Sequence, residues 1–158
     1  MAVTPDDIKK AYPLPVYNYR VEIGSDAVAF SEVTGLSIAY DVSTFKESPT
    51  ESGVPGPRVR HMPAQAKEAN VTLKKGVVRG ASVKNLYGWI AGIRINQVEK
   101  KDVYIRLCDE AGVPVISWKV ANAFPTKLDA PGFDAKSNDV AVETMELRAE
   151  RVTIEEAG

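Results

Sequence analysis

The sequence encodes a mainly β domain with a single α-helix. Apolar and polar residues alternate in segment after segment, a period near 3.6 occurs only over 82–93, and the last apolar-rich stretch changes phase twice, as a bent strand does. The clearest segment is 103–125, where two alternating arms flank an Asp109-Glu110-Ala111-Gly112 turn and an Asn-Ala-Phe-Pro corner ends the second arm. Val103, Ile105 and Leu107 share one face of the first arm, with Tyr104, Arg106 and Cys108 on the other. Ile116, Trp118 and Val120 share one face of the second, opposite Val115, Ser117 and Lys119. Such alternation predicts a β-hairpin with one buried face.

The other elements follow in order. Residues 1–12 read as a flexible N-terminal arm, after which Pro13 and Pro15 stiffen the chain into an extended entry. Tyr17, Tyr19, Val21 and Ile23 alternate with Asn18, Arg20 and Glu22, which predicts a half-buried strand. Gly24-Ser25-Asp26 turns the chain, a second strand is expected over 27–33, and Gly35 precedes a third over 36–45. Residues 46–66 carry Pro49, Pro55, Pro57, Pro63, Gly53 and Gly56 without periodicity, so a long loop is expected rather than a central strand, either a floppy surface loop or a projecting arm that contacts a neighbouring subunit. Ala69, Val71 and Leu73 resume the strand pattern. Ser82 then caps a helix whose Val83, Leu86, Tyr87 and Ile90 fall at i, i+3, i+4 and i+7, with Trp89 and Ile93 widening the stripe and Gly92 as its stop. A strand over 124–130 and a final one over 140–154 complete the chain. Phase changes near Glu143–Thr144 and near Glu150–Arg151 predict two bulges or bends in that last strand, as a curved sheet or barrel requires. Residues 155–158 form a tail, and the whole of 1–158 reads as one domain.

Composition narrows the function. A chain of 158 residues fits one domain with a sizeable core, and 44% hydrophobic with 26% charged residues is the balance of an ordinary globular protein. A formal net charge of −1 supplies no global field for nucleic acid. Cys108 is the sole cysteine and excludes an intrachain disulfide; it reads as a small, partly buried strand residue. The first residues lack a signal-peptide pattern and no apolar run approaches the ~20 residues of a membrane span, so synthesis in the cytoplasm is expected.

Catalysis finds no foothold. The only imidazole, His61, sits in the Pro-rich loop, and there is no G-x-S-x-G turn. One His and one Cys cannot close a zinc site, Asp129 to Asp134 is too sparse for calcium, and no phosphate-cradling Gly-rich motif occurs. The paired carboxylates Asp109-Glu110 and Glu155-Glu156 fall in a turn and at the chain end. Lys74, Lys75, Arg79 and Lys84 form a basic run without interleaved aromatics, which reads as solvated surface. No catalytic, cofactor or metal residue is therefore assigned.

Six pieces in order, YPLPVYNYRVEI, FSEVTGL, NVTLKKGVVRG, LYGWI, the hairpin with NAFP, and VAVETMELRAERVTI, resemble the T4-type phage tail tube protein family, which includes inner tube proteins of extracellular contractile injection systems. The resemblance spans 12–154. It implies two packed antiparallel sheets forming a small β-barrel or sandwich, one flanking helix (about 82–93) and the long projecting loop (about 46–66). It implies a homo-hexamer stacked into a hollow tube, with sheath, baseplate or spike and tube-terminating proteins as partners, cargo in the lumen, no sequence-specific nucleic acid and no direct membrane insertion. The mature location would be the assembled injection particle or virion tail. Inter-ring contacts are then expected at Glu47, Pro57, Arg58, Arg60 and Met62. The arm is longer and richer in Pro and Gly than the commonest family pattern, and the YPLP opening and NAFP corner favour the injection-system branch. The competing reading is a monomeric β-barrel module that binds a small ligand or glycan through exposed aromatics such as Tyr40 and Phe45.

Overall fold

The computed structural model of the protein describes residues 2–157. In chain order its elements are α1 (Pro5–Ala11), β1 (Tyr19–Ile23), β2 (Asp26–Val28), β3 (Glu32–Thr34), β4 (Tyr40–Glu47), β5 (Arg58–Ala66), β6 (Ala69–Gly76), a π-helical turn (Ser82–Tyr87) running into α2 (Gly88–Ala91), β7 (Lys101–Cys108), β8 (Pro114–Asp129), β9 (Val142–Ala149) and β10 (Arg151–Glu156). Every pairing is antiparallel. One sheet holds β2, β1, β7, the first half of β8 and β10; the other holds the second half of β8, β9, β6 and β3. β4 and β5 pair only with each other.

The inward faces of the two sheets make one core. From the first sheet come Val21, Ile23, Val28, Val103, Ile105, Val120 and Val152; from the second, Ala69, Val71, Leu73, Met145, Leu147 and Ala149. Cross-strand register fixes these contacts: Val103 opposes Val120, Ile105 opposes Trp118, Leu73 opposes Met145 and Val71 opposes Leu147. Each fully buried aliphatic side chain contributes about 1.5–3 kcal/mol relative to exposure. The hairpin expected from alternation is present. Its turn is held by Asp109, whose carboxylate accepts from the amides of Ala111 and Val113 at 2.9 and 3.0 Å. Cys108 is a buried, free thiol.

The Asn-Ala-Phe-Pro corner does not end the second arm. β8 continues for 16 residues and absorbs the strand expected over 124–130. An extra residue bulges β8 between its partners Lys101 and Val103, and Asn122 takes a left-handed φ of 51°. Its amide donates to Asp102 Oδ1 and its side-chain nitrogen to Glu150 Oε2, each at 3.0 Å. Opposite, the chain breaks at Glu150 between β9 and β10, where the Glu150 amide donates to the Ala121 carbonyl. Both strands turn at the same level, so the pair passes from one sheet to the other. The bend expected near Glu150–Arg151 is this one. The bend expected near Glu143–Thr144 is absent: β9 pairs with β6 without interruption from Ala149 to Val142. Glu143 itself occupies the inward phase, and the apolar Val140 lies outside the strand and exposed.

Other expectations shift for local reasons. The strand expected over 17–23 starts at Tyr19, with Tyr17 exposed. The strand over 27–33 splits into β2 and β3, and the next begins at Tyr40 rather than 36. Gly35 has φ +88°, and a Cβ there would collide with the Asn70 carbonyl, so the chain leaves β3 at a point open only to glycine. The N-terminal arm contains a helix, α1, closed by a capping box in which Thr4 and Asp7 exchange hydrogen bonds and Pro5 stands at its start. Residues 82–93 coil as expected, but the first half is π-helical. Ser82, Leu86 and Trp89 are buried while Val83 and Tyr87 are exposed, because i→i+5 winding rotates the 3.6-period stripe away from the core. Ser82 does not cap the coil; its hydroxyl oxygen accepts from the Val78 amide. The irregular part of the expected loop is confined to 48–57, since 58–66 form β5. Pro63 is tolerated there because a two-stranded ribbon points half its backbone groups away from the partner, and a bulge lies beside it. The tail keeps Glu155 and Glu156 in β10; residues 1 and 158 lie outside the described residues.

Asn122→Val, which cannot relax at positive φ, is expected to cost about 1–3 kcal/mol, and Asn122→Gly less, in urea unfolding of dilute protein. Equal losses would show that the left-handed turn is not what Asn122 supplies.

Candidate assembly surface

The β4–β5 ribbon is the feature the rest of the chain leaves uncovered. Register places Ser43, Phe45, Glu47, Arg58, Arg60 and Met62 on one face, and Val42, Thr44, Lys46, Val59, His61 and Pro63 on the other. Both faces carry large apolar side chains, and Tyr40, Val42, Phe45, Val59 and Met62 are all exposed. An isolated two-stranded hairpin is at best marginally stable in water. The arm therefore has packing left to make on both sides.

Its tip is organised by charge. Arg60 Nε lies 3.0 Å from Glu47 Oε1, and Arg58 Nη2 reaches both oxygens of Glu51 at 2.9 and 2.8 Å. Those bonds from Arg58 hold the Glu51 carboxyl below its ordinary value. Pro57 follows a cis peptide bond with Gly56 and leads into β5. Of the residues singled out from the sequence, Glu47, Arg58, Arg60 and Met62 thus share one face, with Pro57 at its margin. Val42 and Val59 on the opposite face were not singled out, although Val42 alternates with Thr44 in the sequence; the neighbouring prolines hid the second strand. Tyr40 and Phe45, the aromatics of the ligand-binding reading, lie on opposite faces of the arm and cannot flank one groove.

Elsewhere the charged candidates are absorbed structurally. Lys75 is 2% exposed at the end of the core ladder opposite Glu143, its Nζ donating to the Gly76 carbonyl and Ser82 Oγ and lying 3.8 Å from Glu143 Oε1. Lys74 pairs with Glu32. The basic run is thereby reduced to Arg79 and Lys84. Glu110 pairs with Lys9 at 2.9 Å, an exposed contact between α1 and the hairpin turn. That contact, chiefly its hydrogen bond, lowers the Glu110 carboxyl and raises the Lys9 ammonium. His61 bonds Thr44 at 3.2 Å, with no carboxylate in the contact. Among the described residues no group of His, Cys, Asp and Glu is placed to hold a metal, and no helix is long and apolar enough to cross a membrane. An open cleft of about 550 Å³ lies beside β3, lined by Tyr19, Val33, Leu36, Ile105, Leu107 and Trp118. Ser31, Glu32 and Thr34 also line its wall, which is mostly apolar.

The family model for the T4-like virus tail tube protein gp19 matches residues 15–153. The chain belongs to that tail tube family. No curated protein sequence matches it. Among solved structures, a chain of the PVC sheath-tube complex of an extracellular contractile injection system, in the extended state, is 41% identical, with TM-score 0.86, covering 99% of this chain and 100% of that one. A chain of the anti-feeding prophage tube-terminating cap is 44% identical with TM-score 0.82, over 99% and 100%. A third, from the PVC sheath/tube terminator, is 43% identical with TM-score 0.80, over 92% and 99%. The tail tube protein described here has the fold the resemblance implied: two antiparallel sheets, one flanking coil over 82–91 and a projecting arm.

The Glu51–Arg58 contact has a pH signature. A carboxyl lowered by its partner keeps that contact above its ordinary value of 4.5 and loses it as pH falls through its own, lower midpoint. Titration of Glu51 by carbon NMR is expected to give a midpoint below 4.5, moving upward in Arg58→Gln. An unchanged midpoint in that variant would mean that the pair does not exist in solution.

Proposed function

We propose that this tail tube protein is the structural inner tube subunit of a contractile injection system, forming hexameric rings that stack into a hollow conduit driven out by sheath contraction. The observation that carries this reading is the arm: 27 residues with apolar side chains on two bare faces, in a chain whose 41–44% identical relatives come from a sheath-tube complex and from tube-terminating assemblies. Val42, Phe45, Val59 and Met62 are 45–66% exposed, so covering what remains of each against other copies would gain about 1–2 kcal/mol per side chain. That gain recurs at every subunit, which is how a passive tube becomes rigid.

In this reading the protein performs no chemistry. Contraction of the sheath supplies the work, the tube transmits thrust, and cargo travels in the lumen. Glu47, Pro57, Arg58, Arg60 and Met62 lie at the inter-ring contact, sheath and baseplate proteins meet the outside and end of the tube, and a terminator closes it. The mature location is the assembled particle. The injection-system branch is favoured over a phage tail by the identity of these relatives across almost the whole chain.

Negative-stain electron microscopy of the purified protein over a concentration series, with light scattering, tests the reading. Sixfold rings or stacked tubes are expected, and deletion of residues 50–60 is expected to hinder stacking more than ring closure. A protein that stays monomeric even beside its baseplate partner would contradict it.

A further inference from the structure

Sheet edges that natural monomers must hide are left open here, and their sequences match. A sheet edge offers unpaired N–H and C=O groups and is normally blunted by short length, proline or a bulge. β2 and β3 are three residues each. The second half of β8 has Pro125 and a bulge beside it. β5 has Pro63 and a bulge. Two edges have neither: β4, which pairs with β5 alone, and β10, which pairs with β8 alone. Each is rich in β-formers, with Val42, Thr44 and Phe45 in one and Val152, Thr153 and Ile154 in the other.

We propose that β4 of one copy adds to the free edge of β10 in the next, in parallel, with Asp41 opposite Arg151 and Lys46 opposite Glu156. This rests on the ring-forming reading above and names the pairing that builds the ring. The two charges at the ends of each segment are five residues apart in both strands and opposite in sign. Parallel alignment satisfies both pairs. Antiparallel alignment over the same residues sets Asp41 against Glu156 and Lys46 against Arg151, like against like, which opposes that direction. Among the described residues Lys46, Arg151 and Glu156 take part in no ion pair; Asp41 has only an exposed contact with Lys67 at 3.4 Å, a pairing that is readily exchanged.

The register also respects the faces. Val152 is buried in the core and Ile154 is exposed on the same side. Val42 and Thr44 fall beside them and extend the inner face. Ser43 and Thr153 oppose each other on the outer face; Phe45 falls beside Glu155 and adds no preference. Because two different edges join, the contact is head-to-tail, the kind that closes into a ring where the rotation between copies permits.

Charge reversal tests the pairing. Lys46→Glu and Glu156→Lys alone are each expected to raise the concentration for half-assembly, read by sedimentation velocity, roughly three- to tenfold. The double variant is expected to return to within about twofold of wild type. A mixture of Ser43→Cys and Thr153→Cys proteins is expected to give a disulfide-linked dimer on mild oxidation, whereas Ser43→Cys with Asp26→Cys gives none. Wild-type rings with unaffected single variants and no Ser43–Thr153 dimer would overturn the pairing and leave the tube reading standing. A dimer through Asp26 would overturn it by moving the contact to β2. Wild-type protein that forms no ring beside its baseplate partner would overturn the tube reading, and this pairing with it.

Discussion

The shared bend at Asn122 and Glu150 decides how the chain closes. Between 114 and 129, and again between 142 and 156, one strand pair must serve two sheets whose inward faces meet. Straight strands of that length would carry Val120 and Leu147 onto one continuous face and leave no second layer. The bulge at Asn122, with its left-handed backbone, rotates the pair, and hydrogen bonds to Asp102 and Glu150 compensate the conformational cost. Lys100 Nζ lies 3.7 Å from Glu150, and the bond from Asn122 holds that carboxyl low. The strained residue is thus surrounded by groups that keep it in place.

A closed core of this kind has no surplus to stabilise the arm. The ribbon of β4 and β5 pairs with no other strand, and at its base the Lys67 amide donates to the Ala39 carbonyl and closes its own ladder. Its inner ladder and the ion pairs of Glu47, Glu51, Arg58 and Arg60 set its register, but exposed ion pairs add little stability. Its apolar residues face solvent on two sides, a costly arrangement for a monomer and an economical one for a subunit meeting several copies. The open edges of β4 and β10 obey the same logic. In the proposed ring, what reads as a defect in one chain is a connector.

The core was legible in the sequence wherever a strand has one buried face and no charge breaks the alternation, as at 103–105 and 145–149; past the register shift between Leu107 and Cys108, Cys108 is buried although alternation sets it on the outer face. Legibility failed where polar groups took core positions. Glu143 and Lys75 oppose each other inside the ladder, so counting apolar residues alone placed a bend at 143 that the backbone does not make. Ser82 has a cap-forming side chain that is spent instead on Lys75 and Val78, and the π-helical winding moved Val83 and Tyr87 outward. The Thr4–Asp7 capping box with Pro5 was readable and marks α1; the short span and lack of an apolar stripe obscured it. At the arm, Glu47, Arg58, Arg60 and Met62 share a face that only the register reveals, because Pro57 and Pro63 mask the second strand. In the proposed tube the contacts that matter lie between chains, and a single sequence carries those only as unspent edges and faces.

Amide hydrogen exchange of the arm, in dilute and in assembled protein, tests the central claim most directly: that neighbours complete this fold. The account predicts fast exchange across β4 and β5 in the dilute subunit, strong protection after assembly, and little change in β7 and the first half of β8. An arm equally protected in the dilute subunit, or one that stays unprotected in the assembled tube, would contradict it.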